Sequence, residues 1–174
     1  MVKSSLPLLD DYLLSLQTNN YSPETIYNYE RDLNVFQDFL NQIALPLDRC
    51  DKKTLLNYKA YLVSRDRLTP ASQKPEKRLS SFSMNRMLSA LRSYLKFLID
   101  MDFNTPISPD MVKLAKTEKK HLRVGEFDQI IKLIESPSQF ERNKTAAVRN
   151  RAILETLFST GMRISELVNL KKAQ

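Results

Sequence analysis

The residues best suited to chemistry lie in "LFSTGMRISELVNL", residues 157–170. An apolar helical run meets Gly161, and Arg163 and Glu166 open a second one. A guanidinium is a planar fork that can hold two oxygens of one phosphate. A helix start adds free backbone N–H groups and the positive end of the peptide dipoles. Glu166 stands three residues after Arg163, neighbouring distance on a helix, and can orient it through a charge-assisted hydrogen bond. The spacing therefore permits a grip on phosphate. An ordinary surface ion pair at a helix start would be written the same way.

The second set of candidates is cationic and unevenly spread. The 174 residues carry a formal net charge of +7. Residues 1–50 hold three basic residues against seven acids, whereas residues 65–96 hold eight basic residues against Asp66 and Glu76. Residues 113–124 hold five basic residues against Glu118. Concentrated positive charge attracts a polyphosphate backbone, because each contact releases condensed counterions. A solvated basic face is the competing reading. Other classes are excluded more firmly. Two Gly leave no Gly-rich phosphate loop, and one Cys and one His leave no Cys- or His-based metal site. No apolar run reaches the roughly 18 residues of a membrane span, so a cytoplasmic protein without membrane contact is expected.

Helices must position these groups. At 42% hydrophobic and 27% charged the composition is globular. Leu9, Leu13 and Leu16 mark a first helix. Ser22 caps a second and Pro23 opens it; its stripe is Ile26, Tyr29, Leu33, Phe36, Leu40 and Ile43. Asp51 caps a third, through about residue 66, with Leu55, Tyr58 and Leu62 inward. After the basic loop "RLTPASQKPEKRLS" comes a fourth, with Met84, Met87, Leu88, Leu91, Tyr94, Leu95 and Leu98 as its core stripe. An all-α fold follows, with four helices in residues 1–103 around one core. Residues 104–124 have two prolines and a basic run, which predicts a linker. Residues 125–174 hold further helices: Phe127, Ile130, Ile131 and Ile134 on one, and Ala147, Ile153, Leu154, Leu157 and Phe158 on the next, which Gly161 stops.

"RNRAILETLFSTGMRISELVNL" resembles the first active-site segment of the tyrosine recombinases, the phage-integrase family, in its Xer-type form. The shared pattern is Thr160, Gly161, Met162, Arg163, Ile164, Ser165, Glu166, Leu167. "YSPETIYNYERDLNVFQDFL" and "MNRMLSALRSYLKFLIDMDFNTPISP" resemble the family's earlier segments, in the expected order. The resemblance implies a SAM-like core-binding domain in residues 1–103, a basic linker in 104–124, and the first helices of a catalytic domain in 125–174. In the family the two domains clamp duplex DNA and work as oligomers on it. The arginine matching Arg163 stabilises the scissile phosphate, and the acid matching Glu166 supports that arginine. No metal or other cofactor is implied. The implied DNA contacts are Ser22, Thr25, Asn28 and Arg31 on the second helix. Lys74, Lys77, Arg78, Asn85, Arg86, Ser89 and Arg92 follow on and before the fourth, with Lys119 and Lys120 in the linker. Such enzymes resolve chromosome dimers, integrate phage or move transposons.

The family also uses a Lys, a His-x-x-Arg box and a nucleophilic tyrosine beyond the arginine segment. All seven tyrosines here precede Arg163, and His121 opens no such box. The chain is therefore expected to be a fragment that cannot cut or join DNA by itself. Residues 125–174 are expected to be less stable than residues 1–103, because their apolar faces lack a sheet to cover them. The alternative function is a helical protein-interaction module for which DNA is incidental. A helix-turn-helix repressor fits less well, since no short recognition unit can be placed.

Overall fold

The computed structural model describes residues 5–64, 79–117 and 124–171. Among them are seven α-helices and no strand: α1 (Leu9–Thr18), α2 (Pro23–Gln42), α3 (Lys52–Val63), α4 (Ser81–Asp100), α5 (Phe127–Phe140), α6 (Lys144–Thr160) and α7 (Ile164–Val168). The chain divides into two compact units, residues 1–119 and 120–174.

In the first unit, α2 packs on α1, α3 and α4, and α3 also packs on α4. The helix starts follow from the sequence. The Ser22 hydroxyl accepts the Thr25 N–H with Pro23 at the first turn, and Asp51 and Thr54 close a reciprocal capping box. The ends are less usual. Asn20, Ala44 and Asp102 take the left-handed conformation just beyond α1, α2 and α4. The N–H of the following residue reaches back to a carbonyl in the last turn, from Tyr21 to Leu16, Leu45 to Leu40 and Phe103 to Leu98. Glycine commonly fills that position. This chain uses Asn and Asp, which tolerate it, and one Ala, which does so under strain.

The core is aromatic and leucine-rich. Leu33, Phe36, Tyr58, Leu62, Leu88, Tyr94 and Leu98 are fully buried. Phe36 meets Tyr58 edge-on at 4.8 Å, and Tyr12 meets Tyr94 edge-on at 5.5 Å. All seven residues of the expected α4 stripe are buried. On α2 the stripe is displaced. Ile43 is exposed at the helix end, whereas Val35, Phe39 and the carboxylate of Asp32 lie inside. Helix α3 stops at Val63, short of the expected residue 66, where the Ser64 N–H closes back on Ala60 and Tyr61.

The segment expected as a linker is packed over much of its length. Ile107 and Val112 are completely buried in the first unit's core, and Ala115 packs against it. A 3-10 turn, Pro109–Met111, lies against α4. Apolar residues between and after the prolines supply what a free linker lacks, a reason to be buried.

The second unit is a helical hairpin with an added turn: α5 packs on α6, and α6 on α7. Helix α5 runs beyond its expected stripe, through Pro137 to Phe140. Asn143 caps α6 by accepting the Thr145 and Ala146 N–H groups, and Gly161 ends it with φ 66. Phe127 and Phe158, expected on inward stripes, are exposed and meet each other at 6.4 Å.

Candidate nucleic-acid interface

The expected DNA-facing row on α2 is held together by its own polar groups. The Ser22 and Thr25 hydroxyls lie 2.8 Å apart. Asn28 donates to the Glu24 carbonyl at 2.8 Å and accepts from Arg31 at 3.0 Å. The Arg31 guanidinium also stands 5.8 Å from the centroid of the exposed Tyr27 ring. Arg31 is thus restrained from two sides while half-buried.

The α4 row is used differently along its length. Arg86 forms an ion pair at 2.8 Å with Asp32 of α2; the Asp32 side chain is 1% exposed and that of Arg86 is 39% exposed. Burial pushes the Asp32 carboxyl up to about 6, and the charges of Arg86 and then Arg31 pull against that rise. Asp32 is thus paired with Arg86 of α4 and also feels the charge of Arg31 on its own helix. Sequence reasoning missed it. The signal was its place three residues after Tyr29 and four before Phe36, which puts an acid on the core-facing stripe.

Asn85 and Arg92 turn to the packed segment after α4. Asn85 donates to the Ala115 carbonyl at 2.9 Å and accepts the Ala115 N–H at 2.7 Å. Arg92 Nε donates to the Pro109 carbonyl at 3.4 Å. Ser89, one turn after Asn85, is half-buried. Lys74, Lys77, Arg78, Lys119 and Lys120 lie outside the described residues.

In the second unit the corner forms as its spacing requires. Gly161 takes a left-handed conformation that an L-residue adopts only under strain, although nothing would touch an added Cβ. Arg163 is then the first residue of the turn into α7. Its backbone N–H donates to Glu166 Oε2 at 2.8 Å, and its Nη1 donates to Oε1 at 2.8 Å. These bonds, the backbone one first, hold the Glu166 carboxyl below its ordinary range. Both carboxylate oxygens are committed to one arginine. The Arg163 side chain is 81% exposed, so the guanidinium still faces solvent. Helix α7 spans five residues, too few for much help from the peptide dipoles. What the corner can do to an anion rests on the arginine.

No helix among the described residues is long and apolar enough to cross a membrane. Residues 9–101 match the family of the phage integrase N-terminal SAM-like domain. The chain is similar to the tyrosine recombinase XerC of Staphylococcus aureus strain USA300 / TCH1516, at 30% identity over 164 residues, covering 94% of this chain and 50% of the relative. The XerC of strain MRSA252 is 30% identical over 153 residues, covering 88% and 46%. The chain thus spans about half the length of the curated relatives it matches, at 50% of the first. No solved structure matches it significantly. The matched stretch includes α1 to α4 and takes in both helices of the Asp32–Arg86 seam, and the chain belongs to the phage integrase family through this N-terminal SAM-like domain.

Proposed function

We propose that this chain binds double-stranded DNA as part of a site-specific tyrosine recombinase, acting with other recombinase protomers in DNA integration or recombination. The observation that carries the reading is the seam between α2 and α4. There Arg86 pairs with the buried Asp32 carboxylate, on which the charge of Arg31 also acts, inside the region that matches the family. A neutral or acidic surface at that seam would have argued against a phosphate partner.

In this reading residues 1–103 form the core-binding domain, and residues 125–174 are the first helices of the catalytic domain. Arg31, Arg86 and Arg92, with Lys74, Lys77, Arg78, Lys119 and Lys120, meet phosphates. Ser22, Thr25, Asn28 and Ser89 supply neutral contacts. Arg163 neutralises charge on the scissile phosphate, oriented by Glu166; such fixed electrostatics is the larger part of many phosphoryl-transfer rate enhancements. The chemistry needs no metal and no cofactor, and the setting is the cytoplasm.

The exposed apolar side chains of the second unit favour a second reading, a protein-interaction module. Salt separates the two. For roughly six engaged phosphates, the logarithm of duplex affinity should fall with the logarithm of salt concentration at a slope of about −5. Binding that ignores salt, or that prefers a protein partner at every salt concentration, would replace the DNA reading.

A further inference from the structure

Asn85 belongs by its sequence position to the row expected to touch DNA. Its geometry says something else. Both the acceptor and the donor of its amide are turned onto the backbone of one residue, Ala115, thirty positions away. The pair mimics one rung of a sheet ladder between a helix side chain and an extended segment. Two further side chains fasten the same stretch. Arg92 donates to the Pro109 carbonyl, and Lys59 of α3 donates to the Lys113 carbonyl. Ile107 and Val112 anchor it from below, each completely buried. Residues 107–115 are therefore a strap laid over α3 and α4. The strap lies beyond residues 9–101, the stretch that matches the family.

The strap changes what the surface offers. Asn85 and Arg92 lie seven residues apart, two turns along one line of α4, and both bond to the backbone of the strap. The exposed residues there include Lys113, within the strap, and Lys116, the residue that follows it. A lysine is a point charge on a flexible stem, so its use to a phosphate depends on where its backbone is held. The backbone at this place is held by Asn85.

We infer that Asn85 is a positioning residue: by clamping Ala115 it sets the strap so that Lys113 and Lys116 face the phosphates of a bound duplex, and it does not itself contact DNA. The inference rests on the DNA-binding reading and assigns Asn85 a different role within it.

The test is a cycle of variants of the full chain on a mixed-sequence duplex, with affinity measured across a salt series. Asn85→Ala should weaken binding several-fold and make the salt slope shallower by about 1–2, as expected for one or two lost phosphate contacts. Lys113→Ala/Lys116→Ala should do the same. Asn85→Ala added to that pair should change affinity less than about twofold, since residues acting through one another are not additive. Ala115→Pro opens the clamp from the strap side and leaves Asn85 intact, so it should reproduce the Asn85→Ala loss. Amide exchange at Ala115 should quicken in Asn85→Ala, whose clamp has lost its acceptor, while the α4 amides stay protected in both single variants.

Full binding by Ala115→Pro together with weakened binding by Asn85→Ala would make Asn85 a direct DNA contact and overturn the inference. Additive losses in the cycle, or an open clamp with unchanged affinity, would do so too. A wild-type chain without salt-dependent duplex binding would remove the DNA reading itself. That failure is visible before any variant is made.

Discussion

The two units are built from helices of similar amphipathic character and end very differently. In the first, four helices enclose one another's stripes, and Leu33, Phe36, Tyr58, Leu88 and Leu98 lose all contact with solvent. In the second, α5 and α6 share one face. Among its described large apolar side chains only Ile134 is buried, while Phe127, Leu133, Phe140, Val148, Ile164 and Val168 are each more than half exposed. A hairpin of two helices has one common surface, and a residue on any other side has nothing to meet. Periodicity declares that a helix has an apolar face. The number of neighbours decides whether the face is covered.

The sharpest way to break this contrast is to cut into both cores. Leu88→Ala should destabilise the first unit by about 3–5 kcal/mol in urea unfolding, because a fully enclosed site cannot collapse around the cavity. Ile134→Ala should cost the second unit less than about 2 kcal/mol, since solvent already borders the site. Equal losses would mean that the second unit is packed as tightly as the first.

Asp32 sharpens the contrast through pH. In the unfolded chain its carboxyl titrates at the ordinary value of 3.8, and in the folded chain at about 6. Above 6 both forms are ionised, and the folded one bears a buried charge. As the pH falls from 6 towards 4 the folded state takes up the proton first, so this group adds stability with falling pH. The full gain is at most about 3 kcal/mol. Asp32→Asn should flatten the wild-type trend between pH 7 and 4.5. The other carboxylates are common to both chains and cancel in the difference. An unchanged pH profile would show that Asp32 titrates normally.

Smaller effects test the helix ends. Gly161→Ala should cost about 1 kcal/mol through backbone strain alone, with no clash to add to it. Ala44→Gly in the first unit, at a site of the same handedness, should instead gain about 0.5–1 kcal/mol. Thermal melts of the two variants should shift in opposite directions.

Much of this was legible in the sequence. Ser22 and Asp51 announced their helices because a capping side chain acts on residues two or three positions away. The α4 stripe was readable because seven residues at helical spacing leave little room for another face. The Arg163–Glu166 contact was readable for the same local reason. What the sequence hid is long-range. Ala115 carries no mark of the amide that clamps it. Ile107 and Val112, between prolines and lysines, looked like part of a linker until the core that receives them was in view. Asp32 was counted among the acids of the first fifty residues, and only the packing of α2 against α4 turns it inward.

The bond between Arg163 and Glu166 closes within four consecutive residues. The orientation of this guanidinium is thus written into the chain locally and asks nothing of distant partners. A loosely packed second unit can breathe, and even come apart briefly, while the fork keeps its bearing. The corner is a portable part, ready before its surroundings are.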